Sequence, residues 1–169
     1  MNKSRKIPEA KQTTLGKYVT SSEAYDMWKA DPDKTSVLDV RTPEEYIFVG
    51  HAAMARNIPL VFIKYQWNTE KNIPVMVPNP DFIGEAQKVF KPKDKIFVTC
   101  RSGDRSAMAV NALAKAGFKN VYNITDGFEG DLVKDPANVF NGKRMINGWK
   151  NSAPWTYDAN PGLLWIANN

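Results

Sequence analysis

Apolar and polar positions along the chain follow two periods. Residues 36–41 and 96–99 are short runs built around Val, Leu, Ile and Phe, the pattern of strands buried on both faces. Asn-Val-Tyr-Asn-Ile at 120–124 reads as a further strand. Between these runs the spacing becomes helical. Ser21 or Ser22 can cap a helix with Glu23 in its first turn and Ala24, Met27 and Trp28 on its inner face; Asp31-Pro32-Asp33 breaks it. Thr42-Pro43-Glu44-Glu45 opens a second helix, with Thr42 as cap, Pro43 at the first position and Glu45 three residues after the cap. Asn79 or Asp81 caps a third, carrying Phe82, Ile83, Ala86, Val89 and Phe90 and ended by Pro92. Residues 107–116 are strong helix formers, with Lys115 in the last turn and Gly117 at the left-handed position beyond it. Residues 60–81 hold Phe62, Tyr65 and Trp67 among prolines, show little period and read as a long connection. Loops this long are usually functional or disordered, and the aromatics argue against disorder. Strands alternating with helices predict an α/β layered fold with a mainly parallel sheet, which binds ligands outside the carboxyl ends of its strands.

One such strand end carries the chain's single cysteine, in Cys100-Arg101-Ser102-Gly103-Asp104-Arg105-Ser106. A lone cysteine after an apolar run is ordinarily a small buried hydrophobe. The loop after it changes that reading. It lies between a strand and a helix start, where free backbone N–H groups and the helix dipole favour negative charge. Gly103 permits a close approach or a positive φ, and Arg101 and Arg105 add positive charge. A thiolate is the nucleophile, and this setting is expected to lower the thiol's pKa below the reference of about 8.5.

The chain of 169 residues has the length of one domain with a real core. Its net charge of +5 is modest and comes partly from Lys3, Arg5, Lys6, Lys11 and Lys17. No Lys/Arg-rich run of the nucleic-acid type occurs, and no apolar run approaches a membrane span. One cysteine excludes an intrachain disulfide and an internal resolving thiol. One Cys and one His do not make a zinc site, and no cofactor is implied. Residues 1–17 are polar and basic, without the apolar stretch of a signal peptide. They read as a flexible arm, and the chain as given reads as cytoplasmic, or periplasmic if a leader was removed. Asp39, Arg41 and His51 are able to do acid–base work. The plainer reading is that Asp39 and Arg41 pin neighbouring loops by charge-assisted hydrogen bonds, and that His51 is a satisfied structural group.

The stretch 100–106 resembles the active-site loop of rhodanese-like single-domain sulfurtransferases. Asp39-Val40-Arg41-Thr42-Pro43-Glu44-Glu45-Tyr46 is similar to the family's other signature, and Gly50-His51-Ala52 and Asn57-Ile58-Pro59 resemble its Gly-His turn and its Asn-Ile-Pro strand end. Ala53-Met54-Ala55-Arg56 departs from the usual Pro-Gly-containing stretch. The resemblance runs over about residues 20–128 and resumes at 148–155, so that roughly 129–147 reads as an insertion into the family's closing segment. It implies a three-layer fold with a mainly parallel central sheet and helices on both faces, a domain over 18–155 and a C-terminal extension over 156–169. It also implies that Cys100 carries a sulfane sulfur as a persulfide, while Arg101, Ser102, Gly103, Asp104, Arg105 and Ser106 cradle the group. The expected partners are a small anionic donor such as thiosulfate and an acceptor such as cyanide, a thiol or a protein. Two other functions stay open. A phosphatase or arsenate reductase of the related fold has a cysteine, five residues and an arginine, whereas four residues separate Cys100 from Arg105. A non-catalytic sulfur carrier or docking module would use the 60–81 connection and the insertion as its surface.

Overall fold

A computed structural model describes residues 6–166; Lys3 and Arg5 of the basic N-terminal stretch lie outside the described residues. The elements in chain order are β1 (Tyr18–Val19), α1 (Ser21–Ala30), β2 (Thr35–Asp39), α2 (Pro43–Phe48), β3 (Arg56–Asn57), β4 (Val61–Asn68), β5 (Ile73–Pro78), α3 (Phe82–Val89), β6 (Lys95–Thr99), α4 (Asp104–Lys115), β7 (Val121–Ile124) and α5 (Trp149–Ser152). Five strands form one sheet in the order β1-β7-β6-β2-β3, every pair parallel. No described helix is long and apolar enough to cross a membrane.

The period of two along the central strands divides the interior into two cores. Ile96, Val98 and Cys100 continue one face of β6, share it with Leu38 and Val40, and pack under α3 and α4 through Phe82, Ala86, Ala109, Val110 and Leu113. Val37 and Phe97 turn to the other face and meet Ala24 of α1, Tyr46 of α2 and Trp149 of α5. Helices therefore cover both faces, as the resemblance implied. The cysteine's place in the first core follows from being two residues beyond Val98 on the same face.

The helix signals held with one shift. Thr42 and Glu45 form a reciprocal capping box with Pro43 in the first turn. In α1 the cap is Thr20, one residue before the expected serines, again in a capping box with Glu23. Ser21 is instead drawn inside, where its N–H and hydroxyl donate to Asp126 at 2.8 and 3.0 Å. Asp81 occupies the cap position of α3 without a side-chain cap bond, and its N–H donates to Asn79 Oδ1 at 3.0 Å.

Two stretches differ from their expectation. Residues 60–81 are not an irregular connection: β4 and β5 pair antiparallel, Val61 opposite Pro78 at the foot and Asn68 opposite Ile73 at the tip, with a register shift between Ile63 and Trp67. Tyr65 and Trp67 are exposed, and near the foot Phe62 packs against Trp165. The period was hidden because neither face is wholly buried. The segment expected as an arm is docked from residue 11 on. Lys11 Nζ donates to Thr125 O at 2.8 Å, Thr14 N to Asn111 Oδ1 at 2.8 Å and Lys17 Nζ to Lys119 O at 2.9 Å.

The end of β2 is fixed by a fully buried ion pair. Arg41 Nη2 donates to Asp39 Oδ2 at 2.6 Å and to Gly50 O at 2.7 Å, with the guanidinium 4.3 Å from the centre of the Phe128 ring. Asn57 Nδ2 donates to the carbonyls of Asp39 and Arg41. His51 is buried, stacked on Tyr46 at 3.6 Å and bonded through Nδ1 to Tyr46 O at 2.8 Å. These are the pinning and structural roles that the sequence favoured. Removing one partner of a buried pair leaves an uncompensated charge, so Arg41→Met is expected to lower unfolding free energy by about 3–5 kcal/mol. Urea denaturation of the variant beside the parent protein measures this; a loss under about 1 kcal/mol would mean that Asp39 is satisfied without Arg41.

Candidate active site around Cys100

Strand β6 ends at Thr99, and the chain turns through residues 100–103 into α4. The turn is shaped by Gly103, whose φ is +108° and whose missing side chain leaves room for Thr125: a Cβ there would lie 2.4 Å from Thr125 O. Both roles anticipated for this glycine, a positive φ and a close approach, are realised at once. The turn aims the Gly103 N–H at Cys100 Sγ, 3.2 Å away. Cys100 is 1 % exposed.

A hydrogen-bond chain runs from the sulfur into the sheet. Ser106 Oγ lies 3.4 Å from Sγ and 2.6 Å from Asn123 Oδ1. Asn123 Nδ2 donates to two carbonyls, Lys11 O at 3.0 Å and Gly103 O at 3.1 Å. Those carbonyls orient the amide, so Oδ1 can only accept and the Ser106 hydroxyl donates to it. The serine then offers the sulfur a lone pair. The strand Asn-Val-Tyr-Asn-Ile held the signal for Asn123, a polar side chain in an otherwise inward apolar run, and its role was missed.

The two arginines of the loop are placed differently. Arg105, in the first turn of α4, makes a two-pronged pair with Glu45 of α2, 2.7 Å on each prong. Glu45 Oε2 also accepts from Thr42 N at 3.1 Å within the capping box. Burial opposes the Glu45 charge, but the hydrogen bonds and charge of Arg105, the Thr42 amide and Arg41 outweigh it and hold the carboxyl below its ordinary range. Burial likewise opposes the Arg105 charge, and Glu45 outweighs it and raises the guanidinium's pKa. Arg101 is exposed, and no described side chain partners it. Ser102 is half-buried and Asp104, the first residue of α4, is exposed. Residues 100–106 are thus brought together with Glu45, Lys11, Asn123 and Thr125, four residues that the sequence did not assign to the site. Glu45 was read only as a cap; its second partner lies 60 positions away, beyond the reach of a local signal.

The wall opposite the loop is the turn after β7. Phe128 N donates to Cys100 O at 2.7 Å and Glu129 N to Arg101 O at 2.9 Å. Asp126 Oδ2 accepts from Gly148 N at 2.8 Å, tying that turn to the start of α5.

The rhodanese-like domain family matches residues 20–132. The chain belongs to that family. Its relatives include uncharacterized protein RC0915 of Rickettsia conorii, 33 % identical over 142 residues, which span 82 % of this chain and 96 % of the relative. Thiosulfate sulfurtransferase 16 of Arabidopsis thaliana, a chloroplastic protein, is 40 % identical over 91 residues, 54 % of this chain and 68 % of that one. Among solved structures, Rv0390 from M. tuberculosis superposes with a TM-score of 0.62 at 27 % identity, covering 83 % of this chain and 96 % of that chain. In the rhodanese-like framework here, the Glu45–Arg105 pair joins the capped end of α2 to the start of the cysteine helix.

That pair has a pH signature. The Glu45 pKa is depressed in the fold, so its contribution is complete above the unfolded value of about 4.3 and is lost as pH falls through the lower folded value. Glu45→Gln is expected to cost about 1–3 kcal/mol at pH 7, and the gap to the parent protein should narrow below about pH 4. Chemical denaturation at pH 7, 5 and 3.5 measures it; a gap that is constant across this range would show that Glu45 carries no charge-dependent stabilisation.

Proposed function

We propose that the protein is a sulfurtransferase that moves a sulfane sulfur from a donor such as thiosulfate to a thiophilic acceptor such as cyanide or a thiol, through a persulfide on Cys100. The observation that carries this reading is the Gly103 N–H directed at Cys100 Sγ at 3.2 Å, in a loop at the carboxyl edge of the sheet. Membership of the rhodanese-like family and the names of its plant relatives support it.

In the first half-reaction the Cys100 thiolate attacks the outer sulfur of thiosulfate. The new Cys–S–S bond forms, the S–S bond of the donor breaks, and sulfite leaves with its electron pair. The loop N–H groups stabilise the negative charge on the added sulfur. In the second half-reaction the acceptor attacks that sulfur, and Cys100 leaves as thiolate. Arg105 is engaged by Glu45 on both outer nitrogens, which leaves Arg101 as the loop's unpaired cation to draw in the anionic donor. The same engagement, with the four-residue spacing between Cys100 and Arg105, weighs against a phosphatase, whose loop arginine must turn its fork to the oxyanion. The chain has no second cysteine, so the persulfide waits for an external acceptor.

Mixing the protein with thiosulfate, removing the donor and taking the intact mass without reductant should show one added sulfur, which cyanide then removes as thiocyanate. Cys100→Ser should show neither the adduct nor turnover. A free, folded thiol that acquires no sulfur from several sulfane donors would overturn the proposal. Arg101→Ala should lose about 1–3 kcal/mol of transition-state stabilisation with thiosulfate while keeping the parent thermal midpoint, because the side chain is exposed and holds nothing in the fold. A kcat/KM for thiosulfate equal to the parent's would remove Arg101 from donor capture.

A further inference from the structure

Two polar side chains beside the sulfur sit on faces that are otherwise apolar. On β7, Val121 joins the core under α4, while Tyr122 and Ile124 turn to the opposite core. The alternation puts Asn123 on the α4 side with Val121, and Asn123 is fully buried. Its strand is paired on both sides at this point, with Val98 of β6 and Tyr18 of β1, so its backbone is fixed. On α4, Ser106 continues the inner face of Ala109, Val110 and Leu113 and is fully buried too. Packing alone would favour an apolar residue at both positions.

The neighbours of this pair fix where its protons lie. Asn123 Nδ2 donates to Lys11 O and to Gly103 O, at 3.0 and 3.1 Å. Turning the amide over would set Oδ1 against those two oxygens with no proton between them. Oδ1 therefore faces Ser106 Oγ, and their separation of 2.6 Å is that of an O–H···O bond. A hydroxyl has one proton, and Asn123 holds it. Toward Cys100 Sγ, at 3.4 Å, Ser106 presents only lone pairs. A lone pair accepts from an S–H group and repels a thiolate. The Gly103 N–H donates to the same sulfur at 3.2 Å, so a thiol there is satisfied both as donor and as acceptor.

We infer that Asn123 is a positioning residue for the nucleophile: by holding the only proton of Ser106, it obliges that hydroxyl to accept the Cys100 S–H and so favours the resting thiol over the thiolate. The Gly103 N–H and the Ser106 lone pair then act in opposite senses on one sulfur atom. This reverses the part that the resemblance gave to Ser106, which was to cradle a negatively charged group. The inference concerns the resting protein and stands whether or not a sulfane sulfur is later carried there. The chain has no second cysteine to trap an oxidised sulfur as a disulfide, and oxidation follows thiolate character, so a held proton also shields the nucleophile at rest. The charges nearby are set separately. Arg105 lies on Glu45, Lys11 Nζ on Thr125 O and Asp131, and Arg101 and Asp104 are exposed. A change at position 106 or 123 removes none of them.

The chain has one cysteine, so the S–H stretching band in the infrared spectrum of the full chain belongs to Cys100, and Cys100→Ser supplies the blank. At pH 7 the parent band should lie below that of an unbonded thiol in an apolar solvent. Ser106→Ala should move it up toward that reference, and Ser106→Thr, which keeps a hydroxyl, should leave it in place. The second readout is the ultraviolet absorbance of the thiolate at pH 7, again against Cys100→Ser, which does not depend on access to the buried sulfur. It should rise in Ser106→Ala, where the repelling lone pair is gone. It should rise at least threefold in Asn123→Leu, where the Ser106 proton is free to turn to the sulfur. Should Asn123→Leu not fold, the Ser106 variants decide alone. A parent without an S–H band, a band that ignores Ser106→Ala, or a thiolate absorbance in Ser106→Ala at or below the parent's would overturn the inference. Each would show that Ser106 does not accept from the thiol, and none bears on whether the protein transfers sulfur.

Discussion

Three parallel strands end at one edge of the sheet, and each brings a buried polar group there: Asp39 on β2, Thr99 on β6 and Asn123 on β7. A buried polar group must find a partner, and this requirement organises the end of the molecule that holds the cysteine. Asp39 is met by Arg41, whose remaining donors reach the Gly50 carbonyl and so set the turn that seats His51. Asn123 is met by Ser106 and by the carbonyls of Gly103 and Lys11, which binds the cysteine loop to β7 and recruits the N-terminal segment. The two cores beneath hold the strands in register, but the satisfaction of their polar ends decides how the loops above them lie.

The cysteine loop was legible in the sequence because all of its signals are local: an apolar strand, a glycine where the backbone turns, a run of helix formers and a glycine stop. The Thr42–Glu45 capping box was legible for the same reason. Arg105 was not, since nothing near it in sequence says that its guanidinium will meet Glu45; it was assigned to the substrate, and its fork lies on a carboxylate of another helix. The hairpin of β4 and β5 was hidden because its half-exposed faces blur the alternation. The docked N-terminal segment was hidden because its anchors are backbone groups, Lys11 O and Thr14 N, and lysines whose partners are distant carbonyls, and such bonds leave no mark on composition.

Electrostatics at the site is divided between fixed and free charges. Asp39 with Arg41 and Glu45 with Arg105 are internally balanced and hold parts of the backbone together. Arg101 and Lys143 are exposed and have no described side-chain partner. The fold thus uses these two pairs to hold the backbone near the cysteine loop and leaves the charge of Arg101 uncompensated among the described residues. Such a field raises the local concentration of anionic ligands without requiring any one contact to be strong.

The docked N-terminal segment also bears on where this protein can be cut. The stretch matched by the family, residues 20–132, is a natural choice for an excised fragment, yet the folded unit is larger at both ends. Such a fragment would lose Lys11, and with it acceptors and donors for Asn123 and Thr125. It would lose β1, which completes the edge of the sheet against β7. It would also lose Trp149, the largest fully buried side chain, from the core beneath Phe128. A boundary drawn from sequence similarity therefore passes through the cysteine loop's own scaffolding. A tag fused at residue 10 would sit one residue from a carbonyl that helps to orient the Ser106 hydroxyl.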